Sequence, residues 1–277
     1  MREVDAVLPL VRDDLPRAQI LFDSLEQHFE PLARCFVVTP DDEVARVAAA
    51  VPRERYEVVA ESSIVPELPY FRSIAQLRAR LRLVGPPFHG WFVQQLLKLA
   101  VAPRVQTGSY LTLDADVVCV RPTTYDDLVD GGRARVQTSP PNHPEWNDDA
   151  ERVLGLPRSG IQYAVTPALF AREGVRELAR HLAARDRRRR WRAYLLRNLP
   201  WTEYALYHTF LERTGRFDAY HVLAGEDAIY ANGVWIESQF DEWDPHAGDA
   251  PFTVVQSATR IAPDRVREKL ALARVRE

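Results

Sequence analysis

Through the first half of the chain, short apolar runs alternate with amphipathic segments. Val4–Leu10 is apolar and β-branched, the pattern of a strand buried on both faces. Ile20, Leu21, Leu25 and Phe29 then recur at helical spacing. Cys35–Thr39 predicts a second strand, Pro40-Asp41-Asp42 opens a helix to about Ala50, and Tyr56–Ala60 predicts a third strand. Strand–helix–strand–helix–strand predicts a mostly parallel sheet with helices on its faces. Ligands of such sheets gather at the carboxyl ends of the strands.

Further along, Ser73 to Leu83 is a polar amphipathic stretch that Gly85-Pro86-Pro87 breaks, and Trp91–Ala102 predicts a helix. Tyr110–Leu113 predicts a strand ending at Asp114–Asp116, with Val117–Val120 a short apolar continuation. The segment "SPPNHPEWNDD" (Ser139–Asp149), with three prolines, predicts a long loop. Gly160–Thr166 predicts a strand and Pro167 the start of a helix whose apolar face is Val175, Leu178, Leu182 and Ala183. A helix over about Arg190–Asn198 ends at Pro200, and Thr202 N-caps another that runs through Arg213 to a stop at Gly215. Val234–Glu237 and Phe252–Gln256 predict late strands, and Asp264–Val275 a terminal helix. There is no internal repeat and no linker, so one α/β domain with insertions is the simplest organisation.

Composition narrows the function classes. The chain has 277 residues, 46% hydrophobic and 27% charged, enough for a sizeable core. A formal net charge of −3 supplies no global field for nucleic acid. Cys35 and Cys119 both lie in apolar runs and read as small buried hydrophobes, not a disulfide framework. No apolar run approaches the roughly 20 residues of a membrane helix, and the N-terminus lacks a signal-peptide pattern. The expected location is cytoplasmic.

The chemistry concentrates in "YLTLDADVVCVRP" (Tyr110–Pro122). Asp114 and Asp116 are two hard oxygen ligands at a strand end, and turns also favour Asp there. Such a pair suits Mg²⁺ or Mn²⁺, with water and substrate phosphates completing the shell. A metal so held neutralises a diphosphate leaving group, which fits sugar transfer from a nucleotide sugar.

That stretch resembles the D-x-D segment of glycosyltransferases with the GT-A fold. The upstream "GWFVQQLLKLA" (Gly90–Ala100) makes the chain similar to a bacterial GT-A-like family, functionally little defined, that pairs W-x-x-Q-Q-x-x-K with D-x-D. "WTEYALY" (Trp201–Tyr207) and "FTVVQS" (Phe252–Ser257) also look like family landmarks, so the likeness spans nearly the whole chain. The resemblance implies a GT-A-like, Rossmann-like domain over residues 1–277, with a nucleotide-sugar half (1–122) and an acceptor half (123–277). It implies a transferase using a UDP-linked or other nucleoside-diphosphate sugar, a divalent metal and a hydroxyl acceptor on a glycan, lipid-linked intermediate or small natural product. Asp116 would bind the metal directly; Asp114 would hold the ribose or contact the metal.

Other positions carry weaker signals. Gln94 and Lys98, four apart, share a helix face, and Gln95 and Lys98 are adjacent on it. They form either a solvated stripe or a set in which Lys98 meets phosphate and the glutamines meet sugar or base. Trp91 could stack on a sugar, or sit in the core. Asp13, after the first strand, either contacts the base or starts a helix. Glu203 is either a helix-dipole partner in the first turn or the base that accepts the acceptor's proton, with Glu226, Asp227, Asp241 and Glu242 as competitors. The GT-A resemblance implies a third metal ligand from the C-terminal part, for which His246 and Gln256 are available; otherwise His246 is plain surface and Gln256 holds phosphate or substrate. His143, Glu145 and Trp146 form either a plain loop or an acceptor lid. The run "RDRRRRWRAYLLR" (Arg185–Arg197) is a solvated face or a contact for an anionic acceptor or the inner membrane surface. Rival readings are a binding protein without turnover and a haloacid-dehalogenase-type phosphotransferase, which would carry its D-x-D on the first strand.

Overall fold

The structure, a computed structural model, describes residues 2–81 and 90–270. Val4–Pro9 (β1), Leu32–Thr39 (β2) and Tyr56–Ala60 (β3) are parallel neighbours joined by Leu15–His28 (α1) and Val44–Ala50 (α2). From the β3 edge the chain passes through Glu61–Ile64 (α3), Leu68–Arg80 (α4) and Gly90–Ala100 (α5). Ser109–Thr112 (β4) then enters on the far side of β1, again parallel to it. Next come Val117–Cys119 (β5), Tyr125–Leu128 (α6), Val129–Asp130 (β6), Arg133–Val136 (β7) and Pro144–Leu154 (α7). Ala168–Ala171 (β8) is antiparallel to β4 and completes a sheet of order β3-β2-β1-β4-β8. Arg172–Arg185 (α8), Trp191–Arg197 (α9), Glu203–Arg213 (α10), Phe217–Tyr220 (α11), His221–Leu223 (β9), Phe252–Val254 (β10) and Pro263–Leu270 (α12) follow.

The continuous apolar character of β1 has a direct cause. Successive strand residues point to opposite faces, and both faces are covered. Val7, Phe36, Tyr110 and Phe170 face one core, filled by Leu96 of α5, Val175 of α8 and Leu206 of α10. Ala6, Leu8, Val37 and Leu111 face the other, filled by Leu21, Phe22 and Leu25 of α1. Burying one such large side chain contributes about 1.5–3 kcal/mol. The result is one mixed α/β domain with a mostly parallel central sheet.

Several expectations need correction. Only the first part of Ser139–Asp149 is loop: Pro144 occupies the first turn of α7, where its missing N–H costs nothing. Ala150, Val153 and Leu154 then bury that helix's apolar face. Gly160–Thr166 is not a strand; only Tyr163 bridges, to Thr138. The strand is Ala168–Ala171, and the helix starts at Arg172 rather than Pro167. Val234 makes a single bridge to Val255, and Glu237–Gln239 is a 3-10 turn. The small sheet β6-β7-β9 was not anticipated. Thr202 does cap α10, accepting the Ala205 N–H at 3.3 Å, and Gly215 follows that helix at φ +66°. The predicted break at Gly85-Pro86-Pro87 and the end of the terminal helix beyond residue 270 lie outside the described residues.

Candidate functional site

The connections β1→β2→β3 step one way across the sheet, and β4 then enters on the other side of β1. The carboxyl ends of β1 and β4 therefore flank a topological switch point, where open α/β sheets bind ligands. Leu113 N–H still pairs with Val7 O at 2.9 Å, and the next residue is Asp114. Arg12–Asp14 leaves the end of β1 as a 3-10 turn beside it. The two ends are close enough for their charges to interact: burial pushes the Asp14 carboxyl up, Arg17 opposes this, and Asp13 and Asp114 add to it.

Behind Asp114 lies a buried ion network. Lys98 Nζ is 2.8 Å from Asp114 Oδ1 and 3.1 Å from Glu203 Oε1, with side-chain exposures of 4%, 30% and 3% respectively. The same ammonium reaches Tyr204 Oη at 3.3 Å, and Tyr204 Oη lies 3.0 Å from Thr112 Oγ1 on β4. Gln95 Oε1 accepts the Glu203 backbone N–H at 3.1 Å, so a side chain of α5 satisfies a first-turn N–H that α10 would otherwise leave unpaired. Burial alone would lower the Lys98 pKa, but Asp114, Tyr204 and Glu203 outweigh it and hold the ammonium charged, well above its usual range. Gln95 Nε2 has no partner among the described residues.

Asp116 sits at the opposite end of the D-x-D turn. Val117 N–H closes the turn on Asp114 O, and Val255 N–H binds Asp116 O at 2.9 Å. Antiparallel pairing of β5 with β10 brings Gln256 and Ser257 alongside. Asp116 Oδ2 accepts the Ser257 N–H at 2.9 Å. Its carboxyl pKa is pushed up to about 6, first by burial and then by the Asp114 charge, against the Ser257 N–H and Lys98. No cation pairs with Asp116 among the described residues.

Of the residues singled out from sequence, Asp114, Lys98, Gln95 and Glu203 come together, and Asp116 stands with Gln256. Trp91, 44% exposed, and the half-buried Gln94 lie on the outward side of α5. Asp13 is exposed and pairs with Arg12 at 3.2 Å. The Glu203 carboxylate is buried against Lys98, and a general base must reach the hydroxyl it deprotonates. Among the competitors, Glu226, Asp227, Asp241 and Glu242 are all exposed, and Asp241 is 3.3 Å from Arg265. His246 lies in an exposed loop, its N–H on Asp244 Oδ1 and its carbonyl accepting from Arg121. His143 stacks on Trp146 at 4.2 Å and bonds Glu145 at 2.9 Å, so these three form the N-terminal end of α7 rather than a free loop. Asp14, Thr112 and Tyr204 also border this cluster and were not singled out. The doubled acid of "RDD" and the tyrosine next to Glu203 were the available signals.

The donor set fits a small divalent cation. Asp114 and Asp116 offer hard oxygens, and Asp116 carries an acidity penalty that a cation would offset. Among the described residues, no three or more His, Cys, Asp or Glu side chains are arranged around one metal position, so His246 does not complete the set. A Mg²⁺ ion held by such a pair would take the rest of its shell from water and other oxygen ligands.

These features define a GT-A-like fold with its acidic pair at the switch point. The chain belongs to a family of unknown function, DUF6492, which matches residues 1–274. In fold it is similar to the galactosyltransferase LgtC, solved in complex with donor and acceptor sugar analogues. That likeness has a TM-score of 0.55 and 12% identity, over 99% of this chain and 98% of that one. No curated protein matches the chain.

Proposed function

We propose that the protein is a metal-dependent glycosyltransferase. It moves a sugar from a nucleoside-diphosphate sugar, UDP-linked by preference, to a hydroxyl on a glycan, lipid-linked intermediate or small natural product. Residues 1–122 hold the donor and residues 123–277 the acceptor. The observation that carries the reading is the Asp114/Asp116 pair at the carboxyl end of β4, anchored from behind by Lys98 in a GT-A-like fold.

Asp114 and Asp116 hold Mn²⁺ or Mg²⁺. The bound ion supplies charge neutralisation for a diphosphate leaving group. Lys98 fixes Asp114 through a charge-assisted contact, and Glu203, Tyr204 and Thr112 fix Lys98. Glu203 is thus a positioning residue in this reading, not the acceptor's base. The Ser257 N–H orients Asp116, and Gln256 lies next to it in sequence as a further polar group for metal, phosphate or substrate. Trp91 and Gln94 present an exposed aromatic face and an amide for base or sugar.

Donor hydrolysis tests the reading, because many transferases slowly release their sugar to water. With a panel of UDP-sugars followed by NMR, the protein should release free sugar in a Mn²⁺-dependent way, and folded Asp116→Ala should not. Sugar release that survives both EDTA and Asp116→Ala would remove the D-x-D pair from the chemistry.

A further inference from the structure

Helix α4 carries its apolar stripe on the wrong side for a core. Tyr70, Ile74, Leu77 and Leu81 follow one another at helical spacing, and at 3.6 residues per turn they fall within an arc of about 60°. Leu81 N–H bonds Leu77 O, so the helical turn extends to it. Yet Tyr70 is 66% exposed, Leu77 56% and Leu81 60%, with Ile74 half-exposed. The inward side is occupied by others. Leu68 is buried, Arg72 turns in to Glu61 at 2.5 Å, and Phe71 packs against the core.

The surroundings are cationic. Helical geometry puts Arg78 and Arg80 on opposite flanks of the stripe. Both are described as helical, Arg78 is exposed, and neither makes an ion pair among the described residues. The exposed run Arg187–Arg190 ends at α9, and Arg192 Nε bonds Glu67 Oε2 at 3.1 Å, immediately before α4 begins. The neighbouring acids are already engaged: Glu67 by Arg192, Glu61 by Arg72 and Asp186 by Arg197.

We infer that α4 seats the protein on an anionic lipid bilayer. Tyr70, Ile74, Leu77 and Leu81 enter the acyl boundary, and Arg78, Arg80 and Arg187–Arg190 meet headgroup phosphates. Charge complementarity selects this occupant: an apolar stripe flanked by arginines is the composition of an interfacial helix, and clustered basic side chains favour anionic leaflets. Among the described residues no helix is long and apolar enough to cross a membrane, so the contact is one-sided. It does not depend on the transferase reading, because the test below measures partition and not turnover.

The test is co-sedimentation with vesicles of phosphatidylcholine alone and of phosphatidylcholine mixed with phosphatidylglycerol. The protein should pellet with the mixed vesicles, weakly with phosphatidylcholine, and less as salt rises. Leu77→Ser/Leu81→Ser and Arg78→Glu/Arg80→Glu should each lower the partition about tenfold or more while keeping the melting temperature, since these positions are outside the core. Tyr70→Ser alone should shift it in the same direction by less, and serves if either double variant fails to fold. Three results would overturn the inference. One is no binding to mixed vesicles. Another is unchanged binding by the stripe variants, which would leave α4 off the bilayer. The third is a dimer in light scattering that Leu77→Ser/Leu81→Ser converts to monomer, which would assign the stripe to a second copy.

Discussion

Lys98 Nζ stands 3.1 Å from Glu203 Oε1 inside the protein, and its other side faces Asp114 at the mouth of the site. The ammonium thus links the end of strand β4 to helix α10. A buried charge that loses its partner is costly, about 3–5 kcal/mol, whereas removing both partners is much cheaper. Lys98→Met should therefore destabilise by that order, because it strands Glu203. Lys98→Met/Glu203→Gln should recover more than 1 kcal/mol of the summed losses. Denaturant unfolding of the three variants measures it; strictly additive losses would mean the contact carries no coupling.

Asp116 should show its proximity to Asp114 through metal binding. Its carboxyl pKa is raised to about 6, so a proton competes with a cation until pH rises past that value. Mn²⁺ affinity should climb between about pH 5 and 7 and level off above. In Asp116→Asn, which keeps an oxygen for the Ser257 N–H, Mn²⁺ binding should be lost at every pH. Calorimetric titration reads both effects, and a pH-independent Mn²⁺ affinity in the parent protein would count against Asp116 as ligand.

Two histidines away from the site should set the acid limb of stability. His208 is fully buried, stacks on Tyr163 at 4.2 Å and has neither ring nitrogen partnered among the described residues. His221 faces Tyr207 Oη at 2.7 Å and Ala134 O at 3.2 Å; with Nδ1–H donating to that carbonyl, Nε2 accepts the Tyr207 hydroxyl. Burial drives His221 down to about 4, and burial followed by His221 drives His208 well below its usual range. The folded state thus binds fewer protons than the unfolded one. Stability is fully present above about pH 6.5 and falls as pH drops toward 4. For His221 alone the drop from 6.5 to about 4 corresponds to roughly 3 kcal/mol. His208→Phe keeps the stacking and removes the unpaired nitrogens, so it should flatten that limb and hold or raise stability at pH 7. A melt series from pH 4 to 8 in which the variant tracks its parent would contradict this.

The legible parts of the chain were those where one physical rule dominates. β1 read as a two-sided buried strand because every residue from Val4 to Pro9 is buried. The Thr202 cap and the Gly215 stop read correctly because local chemistry sets them. Asp114 and Asp116 stood out because two acids one residue apart interrupt an apolar run in a stretch that resembles the GT-A D-x-D segment. β8 was displaced because Ala168–Ala171 is short and takes its identity from pairing with β4, which no local signal announces. β7 and β9 escaped for the same reason: β7 takes its identity from pairing with the two-residue β6 and the three-residue His221–Leu223. Glu203 read as a helix-dipole partner or a base, because its buried partner Lys98 lies over a hundred residues away. The His246 expectation came from the GT-A resemblance; the histidine lies in an exposed loop, and among the described residues no three His, Cys, Asp or Glu side chains surround one metal position.

The central claim is that Asp114 and Asp116 hold a divalent cation for a nucleotide-sugar donor. A thermal-shift screen of nucleoside diphosphates and nucleotide sugars, with and without Mn²⁺, tests it most directly. A ligand at about 100 times its dissociation constant adds roughly 2.7 kcal/mol, a rise of several degrees for a domain of this size. The account predicts a shift with UDP or a UDP-sugar that requires Mn²⁺, disappears with EDTA and is absent in Asp116→Ala. A folded protein that no nucleotide stabilises, with or without metal, would contradict it.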